Sequence, residues 1–446
     1  MFLSSILELS KSLLKKYPLC DHCLGRQFAR LSRGTTNLLR GFSIKLMLSM
    51  DAHMMLKQGV VDDAVALLDL LASNGGFEIA SNLLEKLGYD KPEASSCYIC
   101  GGLFESVDKY VEEALSILSE YEFSTFLVGS RIPGEIAERE DRLRAEFNLV
   151  LGESFKSEFN RFLGKRLQSI LGKTVAFKAP DLVVLFDFVD GSVSVESKPM
   201  FIYGRYRKLI RGLPQTTWFC NKCWGRGCEA CGFTGRRYPT SIEELISKPV
   251  LELTLGEMGI FHGAGREDVD ALMLGDGRPF ILEVKGPKRR LVNLDALTKT
   301  VNDFAEGKIE VKFLRFSSKR EVRRLKSLSP LSRKTYRALI RVDGNINPDL
   351  LSRLDVFFTD KEIRQRTPSR VMRRRVDKVR VKHVYSVKSS VVNPSLFESI
   401  ICCQGGLYIK ELISGDAGRT EPNFSNFLGV KAECVELDVL KVSEAL

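Results

Sequence analysis

The sequence predicts a multidomain protein of the α+β class, and three observations support this prediction. The chain of 446 residues is longer than a single hydrophobic core usually serves. Apolar residues recur at helical spacing through the first ninety residues, which indicates a helical region. After Thr240, short apolar runs that alternate with charged residues predict a domain built on a mostly antiparallel sheet with helices.

The N-terminal region is expected to be helical. The segment before Tyr17 predicts the first helix, because Leu3, Ile6 and Leu9 fall on one side of it. The segment has no signal-peptide core and no small-residue cleavage site, so we expect it to belong to the mature protein. The other helices predicted here cover residues 38–48, 62–71 and 79–87.

The middle of the chain, from about residue 121 to residue 210, predicts a small α/β module. A helix-rich piece, 138–171, lies between strand-like runs. The module ends in Arg205-Tyr206-Arg207-Lys208, a basic and aromatic stretch that is either an RNA-contacting edge or a linker. The strands predicted in this module are 126–128, 182–186, 193–195 and 200–202.

The region from residue 241 onward predicts the mostly antiparallel sheet. A helix is expected at 293–304, between strands. The predicted strands are 250–255, 280–284, 309–316, 336–342, 379–387, 407–413 and 434–439.

Composition argues against a membrane protein. No apolar run approaches the roughly 20 residues that cross a bilayer. Together with the mature N-terminus, this predicts a cytoplasmic protein without membrane contact.

Positive charge is concentrated in the second half of the chain. The net charge is +11, and residues 361–382 alone contain ten lysines or arginines against two acids. Further basic clusters lie at 319–334 and 285–290. Three such clusters close to one another predict a surface that binds nucleic acid, whereas a single cluster is usually a solvated face.

The run from Arg364 to Arg375 is the densest part of this charge. We expect it to be a loop that grips RNA. Its candidate substrate-binding residues are Arg366, Arg370 and Arg374.

Eight of the eleven cysteines form four Cys-x-x-Cys pairs. In a cytoplasmic protein such pairs indicate metal binding rather than disulfides. The first two pairs flank the helical region, and a tetrahedral site would join its ends across 73 intervening residues. Four thiolates leave no open position for a substrate, so the predicted ion is structural zinc. The ligands of this first site are Cys20, Cys23, Cys97 and Cys100.

The other two pairs are separated by only four residues, and glycines between and after them permit tight turns. This spacing predicts a second structural zinc. A vestigial pair without metal and an iron–sulfur cluster remain alternatives. The ligands of the second site would be Cys220, Cys223, Cys228 and Cys231.

One short stretch concentrates charge in front of a predicted strand. Between Gly265 and Leu272 it places three carboxylates and an arginine within six residues. A carboxylate beside an arginine is what an enzyme needs to hold an ionised acid next to its substrate. The stretch is therefore the leading candidate for a catalytic site.

Four motifs follow one another along the chain and resemble those of one enzyme family. They are Gly265-Arg-Glu-Asp-Val-Asp, Gly277-Arg-Pro-Phe, Gln365-Arg-Thr-Pro-Ser-Arg-Val and Tyr408-Ile-Lys-Glu-Leu-Ile-Ser-Gly-Asp-Ala-Gly-Arg-Thr. In this order they resemble the archaeal and eukaryotic pseudouridine synthases of the Pus-ten family. The N-terminal cysteine pairs fit as well, so the resemblance covers nearly the whole chain.

The resemblance implies a domain order. It implies a helical zinc-binding region at 1–115, a THUMP-like RNA-binding module at 116–215, a Cys-rich knuckle or linker at 216–240, and a catalytic domain of the pseudouridine synthase fold at 241–446.

The resemblance also implies the activity, which is the isomerisation of uridine to pseudouridine in the TΨC arm of tRNA. The implied targets are the uridines conventionally numbered 55 and, in archaeal members, often 54. The reaction has no redox step, so no catalytic cofactor and no nucleotide are expected. The expected partner is tRNA, and no obligate protein partner is evident.

Matching the motifs assigns the site residues. Asp268 is the implied catalytic carboxylate, Tyr336 the active-site tyrosine, and Lys410 the cation that pairs with the carboxylate. Asp270 is the rival carboxylate, and the Arg-x-Asp spacing favours Asp268. Lys410 is expected on a buried strand, where it alternates with apolar neighbours. The implied substrate-binding residues of the pocket are Arg266, Tyr336, Ile409 and Leu437.

Two other functions remain open at the level of sequence. Asp270 followed by Glu283-Val284-Lys285 fits the Asp…Glu-x-Lys pattern of nucleases, in which two carboxylates bind Mg²⁺. The pattern is short and often arises by chance. The other alternative is a non-catalytic tRNA chaperone that uses the zinc and THUMP-like regions alone.

Overall fold

The structure, a computed structural model, describes residues 5–443, apart from the side chains of Arg373 and Arg374. The chain divides into two units, the first extending to Lys198 and the second beginning at Pro199. Within the described residues no helix is both long and apolar enough to cross a bilayer.

The first unit begins with helices, and each of the four helices predicted there is confirmed. The first starts at a capping box, in which the Ser5 hydroxyl accepts from the Glu8 amide and the Glu8 carboxylate accepts from the Ser5 amide. Leu3 lies outside the described residues. The helices are α1 (Ile6–Lys16), α2 (Asp21–Gly25), α3 (Asn37–Lys57), α4 (Val61–Ser73), α5 (Glu78–Lys86) and α6 (Asp108–Leu118).

The predicted α/β module follows in the same unit as a four-stranded sheet in the order β2-β1-β3-β4. Its first strand is parallel to both of its neighbours. One continuous core runs from Leu13 in the helices to Val193 in the sheet, so the helical region and the module fold around shared apolar residues. Its elements are β1 (Thr125–Arg131), α7 (Gly134–Glu146), α8 (Phe155–Leu171), β2 (Thr174–Val175), β3 (Leu182–Asp187) and β4 (Ser192–Ser197).

The second unit contains a ten-stranded sheet in the order β13-β10-β11-β12-β9-β14-β7-β5-β8, with β6 paired to β7. Its strand pairs are antiparallel except β14 with β7, which confirms the predicted fold class. Its elements are β5 (Met200–Lys208), α9 (Ile242–Thr254), β6 (Met258–Gly263), β7 (Leu272–Lys285), α10 (Leu294–Ala305), β8 (Ile309–Phe316), α11 (Lys319–Leu328), β9 (Arg333–Val342), α12 (Pro348–Phe358), β10 (Lys361–Arg366), β11 (Val379–Asn393), β12 (Leu396–Gln404), α13 (Ile409–Ser414), β13 (Thr420–Glu421), α14 (Phe424–Leu428) and β14 (Ala432–Val442).

Two predicted strands are wrong. Residues 250–255 end helix α9, which starts at Ser241, whose hydroxyl accepts from the Glu244 amide. Residues 407–413 contain helix α13, which ends at the left-handed Gly415. Both errors come from apolar runs of about six residues, which are too short for periodicity to separate a strand from a buried helix.

The strand β5 also differs from the sequence-based division. It was assigned to the THUMP-like module, but it pairs with β7 and β8 in the large sheet. A strand-like pattern predicts a strand without predicting its partners, and only pairing over Met200–Lys208 assigns it to the second unit.

The two main clusters of the second unit meet near one aromatic side chain. One cluster packs the sheet against α12, α13 and α14, and the other packs it against α9 and α10. Tyr336 on β9 contacts both clusters. The ring is therefore fixed from two sides at the middle of the sheet.

Candidate active site

The acidic stretch forms a loop between β6 and β7. A buried ion pair holds this loop in place. Glu267 and Arg278 join through Oε2 and Nε at 2.7 Å, and their side chains are 2% and 1% exposed. The Tyr206 hydroxyl donates to Glu267 at 2.9 Å. Arg278 also donates to the Ala264 carbonyl at 2.9 Å. These contacts fix the loop backbone directly beside Asp268.

A second buried cation completes the anchoring. Lys208 on β5 donates to the carbonyls of Asp268 at 3.2 Å and Val269 at 2.6 Å. Burial lowers the pKa of Lys208 to about 8. Gly265 has a φ of +82°, and a Cβ there would lie 2.9 Å from the Lys334 Nζ. The turn into the loop therefore requires glycine.

Asp268 projects from this loop into a cavity of about 340 Å³. The cavity also contains the predicted Tyr336, Lys410 and Arg266. The apolar part of its lining includes Ile409 and Leu437, as the resemblance implies. The structure thus brings together residues from the loop, from β9, from α13 and from β14.

Two cations flank the Asp268 carboxylate. Arg370 donates through Nη1 to Oδ1 at 3.1 Å, and Lys410 Nζ lies 3.7 Å from Oδ2. Arg370 is itself held by Glu411, whose side chain is buried, at 2.6 Å. Adjacent positive charge favours the ionised form of a carboxylate.

The rival Asp270 occupies a different environment. It accepts from Lys410 at 2.7 Å, closer than Asp268 does, but its side chain is 68% exposed against 35% for Asp268. Asp270 does not belong to the lining of the cavity. Its position suits a residue that orients Lys410 from outside.

One of the predicted arginines lies outside the cavity, and the side chain of another is not described. Arg366 ends β10 and pairs with Asp377 at 2.7 Å, outside the residues that line the cavity. The side chain of Arg374 lies outside the described residues. Of the two proposed arginines whose side chains are described, Arg370 is the one that reaches Asp268.

Buried polar groups around the cavity were not singled out from sequence as site residues. Glu267, Arg278 and Glu411 each support a residue that faces the cavity. The motifs Gly277-Arg-Pro-Phe and Tyr408-Ile-Lys-Glu contain Arg278 and Glu411, but a sequence does not reveal which member of a motif is buried. Lys334 was also missed, although it lies two residues before Tyr336 and therefore on the same face of β9.

Burial changes the protonation of two groups on that face of β9. It raises the pKa of the Tyr336 phenol well above its ordinary value, so the hydroxyl remains a donor at neutral pH. Burial and the nearby charge of Arg278 lower the pKa of Lys334 to about 7. The cavity therefore contains a lysine that titrates near neutrality.

A second cleft of about 490 Å³ adjoins the cavity. Asp268, Arg370 and Tyr408 line both spaces. Its far wall comes from the Cys-rich segment and includes Trp218 and Arg237. The Arg266 guanidinium lies 4.9 Å from the centre of the Trp218 ring, between the two spaces.

Each cysteine tetrad gathers four ligand atoms into a volume suited to one ion. Within each tetrad the sulfur atoms lie within 4.8 Å of one another. The Sγ atoms of Cys20 and Cys100 are 3.7 Å apart, and those of Cys228 and Cys231 are 3.7 Å apart. Tetrahedral ligation at about 2.3 Å requires a similar separation. Both tetrads can therefore bind a metal.

A cation-paired carboxylate in a cavity rich in arginine and lysine, on a mostly antiparallel sheet, indicates an enzyme that acts on a polyanion such as RNA. Comparison with known proteins narrows this class. Residues 201–443 match the family model described as Pus10, C-terminal, and residues 110–187 match the Pus10 THUMP domain, archaeal. The chain belongs to the Pus10 family, which confirms the resemblance drawn from the motifs.

Full-length relatives support this assignment. The chain is 43% identical over 439 residues to tRNA pseudouridine synthase Pus10 of Methanocaldococcus jannaschii, which covers 97% of this chain and 93% of that protein. It is 41% identical to the protein of the same name from Methanothermobacter marburgensis, covering 99% and 98% of the two chains.

Solved structures show a more distant likeness. A Cbf5-Nop10-Gar1 complex matches with a TM-score of 0.30 and 16% identity, over 54% of this chain and 48% of the other. A pseudouridylate synthase matches with a TM-score of 0.21 and 13% identity, over 60% and 79% of the two chains.

Proposed function

We propose that this protein isomerises uridine to pseudouridine in the TΨC arm of tRNA, at uridine 55 and also uridine 54, with Asp268 as the catalytic carboxylate. The observation that carries the proposal is the position of Asp268, which projects into a cavity between Arg370 and Lys410. Family membership supplies the reaction class, and the contacts of this loop support the assignment of the aspartate.

The reaction breaks the bond between C1′ of the ribose and N1 of uracil, and it forms a bond between C1′ and C5. The C5 hydrogen leaves as a proton and N1 gains one, so no oxidant or reductant is needed. One carboxylate beside the sugar acts as nucleophile or base. Asp268 suits that role because its carboxylate faces the cavity between the cations of Arg370 and Lys410.

The remaining cavity residues have supporting roles in this proposal. Tyr336 stacks on the uracil ring, with its hydroxyl available as a donor. Ile409 and Leu437 form the apolar walls against the base. A uridine in a folded arm must leave its stack to reach Asp268, and Arg266 at the mouth of the cavity holds or replaces the flipped nucleotide.

The two tetrads are proposed to hold one structural zinc each. The sulfur separations fit tetrahedral zinc, and the soft thiolate set favours zinc or an iron–sulfur cluster over oxygen-binding ions. With zinc bound, each site would cross-link segments of backbone and supply no catalytic position. Metal analysis that finds two zinc ions per chain supports this, and one zinc per chain contradicts the second site.

The nuclease alternative loses support in the structure. Glu283 pairs with His262 at 3.0 Å near the end of β7, whereas Asp270 precedes the start of that strand. An extended strand rises about 3.3 Å per residue, so the two carboxylates lie far apart. In the described part of the chain, the only groups of three or more metal-binding side chains are the two cysteine tetrads.

Tritium release from tRNA labelled at C5 of uridine tests the proposal. The wild-type protein should release tritium without added cofactor and in the presence of a chelator of Mg²⁺, with the RNA left intact. Asp268→Asn should abolish release while tRNA binding persists. The matched control, Asp270→Asn, should remain active. Loss of activity in Asp270→Asn together with activity in Asp268→Asn would reverse the assignment.

The same assay separates the alternatives. A non-catalytic chaperone would bind tRNA and release no tritium in any variant. A nuclease would cleave the RNA and stop in chelator. Mapping of the product then shows whether uridine 54 is modified as well as uridine 55. We further propose that the protein acts in the cytoplasm without an obligate protein partner.

A further inference from the structure

The Cys-rich knuckle, residues 216–240, is held together by its cysteine tetrad and by short backbone contacts. The Cys220 amide donates to the Gly235 carbonyl at 2.8 Å, and the Arg237 amide donates to the Trp218 carbonyl at 2.9 Å. Gly227 has a φ of +89°, and a Cβ there would lie 2.7 Å from the Phe233 carbonyl oxygen. The knuckle is thus compact, although few of its side chains are buried.

Three large aromatic rings of the knuckle point away from any core. Phe219, Trp224 and Phe233 are 59%, 81% and 74% exposed. Trp224 and Phe233 also adopt left-handed backbone conformations, with φ of +53° and +59°, which are costly for bulky residues. An exposed ring on a strained backbone adds nothing to folding stability. This combination indicates that the rings are presented to a ligand.

The knuckle is continuous with the active site. Trp218, Asn221 and Arg237 form one wall of the cleft whose other wall includes Asp268 and Arg370. The Arg237 guanidinium lies 5.3 Å from the centre of the Trp218 ring, on which Arg266 also packs. A strand of RNA that reaches Asp268 through this cleft contacts this wall.

The charges near the rings favour RNA as the occupant. Lys222, Arg226 and Arg237 are exposed, whereas Arg236 is paired with Glu244. The only acid of the knuckle is Glu229. A metal with four thiolates adds negative charge at the centre of the knuckle, but the exposed cations lie on its surface beside the rings. Aromatic rings interleaved with arginine and lysine are typical of surfaces that stack single-stranded bases.

We propose that the knuckle is a nucleobase-binding element for the RNA strand that flanks the target uridine. An unpaired base enters the cleft between the wall formed by Trp218 and Arg237 and the wall that includes Asp268 and Arg370, and neighbouring bases stack on Trp224 and Phe233. The inference rests on the proposed function, because it takes the RNA at Asp268 as the ligand. It adds a binding role for a segment whose cysteines otherwise indicate only a structural metal.

The tryptophan content makes this binding directly observable. The chain contains two tryptophans, and both lie in the knuckle. Intrinsic tryptophan emission therefore reports on this element alone. The full-length protein carrying Asp268→Asn is titrated with unmodified tRNA transcript, and filter retention measures binding in parallel. Trp218→Phe and Trp224→Phe in the same background resolve the two rings.

We expect tRNA to quench tryptophan emission saturably in both single-tryptophan variants. The midpoint of this quenching should equal the midpoint of binding measured by filter retention. Binding of tRNA without any change in emission would overturn the inference. Absence of tRNA binding altogether would instead contradict the proposed function. The two failures are distinguishable because filter retention measures tRNA binding independently of tryptophan emission, and neither measurement requires turnover.

A variant with Trp224→Ala and Phe233→Ala tests the contribution of the rings to affinity. Stacking of one base on one ring corresponds to about a tenfold change in affinity. We expect tRNA affinity to fall by at least about tenfold and KM to rise with kcat nearly unchanged. Metal content equal to that of the wild type verifies that the knuckle is folded.

The matched control is Phe313→Ala, which removes a ring that is 66% exposed on β8 and lines neither cavity. It should leave affinity unchanged. Wild-type affinity in Trp224→Tyr, together with reduced affinity in Trp224→Leu, separates stacking from general apolar contact. Unchanged affinity in the double alanine variant would contradict the proposal.

Discussion

The two cysteine tetrads have the same ligands but different surroundings. In the first, Cys23, Cys97 and Cys100 are buried and belong to the core of the helical unit. In the second, only Cys220 is buried, and the segment around it exposes Trp224 and Phe233. The first tetrad joins segments 73 residues apart in the chain, whereas four residues separate the pairs of the second.

The comparison indicates that burial decides whether a bound metal would contribute mainly to folding stability or to local order. A metal within a core adds its binding free energy to the folding of everything packed around it. A metal in an exposed knuckle mainly orders the residues that the knuckle presents. The same contrast between buried and exposed neighbours recurs in the loop that carries Asp268, at Glu267 and Asp270.

The largest effect is expected for Cys97→Ser. Loss of one thiolate weakens the metal site within the core, and we expect the free energy of unfolding of the first unit to fall by on the order of 5 kcal/mol. Urea unfolding followed by circular dichroism measures this loss. The control is Cys402→Ser, which changes a half-buried cysteine of β12 outside both tetrads. Equal effects of the two substitutions would show that the first tetrad does not support the core.

Glu267→Gln should be the next most destabilising change. It preserves the shape of the side chain but leaves the buried Arg278 charge without its carboxylate, which costs about 3 kcal/mol. The exposed neighbour Asp270→Asn removes a surface ion pair worth at most about 1 kcal/mol. Thermal unfolding of both variants provides the measurement. A larger loss for Asp270→Asn would contradict the assigned roles of the two carboxylates.

Lys334→Met tests the buried lysine of the cavity through pH. The folded pKa of about 7 lies below the unfolded value of 10.5, so between these values the unfolded chain binds the additional proton. The stability contributed by Lys334 therefore rises with pH above about 7, by roughly 2 kcal/mol between pH 7 and pH 9. Arg278 and Lys382 lower the pKa and Cys403 and Glu267 raise it, but burial dominates.

The wild type should therefore become more stable relative to Lys334→Met as pH rises from 7 to 9, as measured by urea unfolding at each pH. The half-exposed Lys382, substituted in the same way, should show a smaller dependence. A difference between wild type and Lys334→Met that is constant over this range would show that Lys334 does not titrate there.

The smallest effect on stability is expected for Cys228→Ser. The knuckle buries few side chains, so global unfolding should change by less than about 1 kcal/mol. Affinity for tRNA should nevertheless fall about tenfold, equivalent to about 1.4 kcal/mol, because the rings lose their fixed positions. Calorimetry and filter retention measure the two quantities. A loss of stability comparable to that of Cys97→Ser would remove the distinction between the tetrads.

The sequence was sufficient for the fold class, the family and most of the cavity. Matching the motifs to the family identified Asp268, Tyr336, Lys410, Arg266, Ile409 and Leu437, and the structure brings all six to one cavity. Long periodic segments such as α3 and β8 were also predicted. Short apolar runs were not assigned correctly, because their periodicity does not separate a strand from a buried helix. For this reason α13 and the end of α9 were predicted as strands. Their caps at Gly415 and Ser241 were the signals that carried the missing information.

The local pattern of this chain determined its long helices, its Cys-x-x-Cys pairs and its motif residues, because each depends on neighbours within a few positions. The tertiary structure decided that Glu267 anchors the loop while Asp268 faces the cavity. It also decided that Arg370 lies nearer to the Asp268 carboxylate than Lys410 does. It also placed β5 in the large sheet and Trp218 beside Arg266. Burial and charge pairing depend on residues distant in sequence, and only folding brings them within a few ångströms of one another.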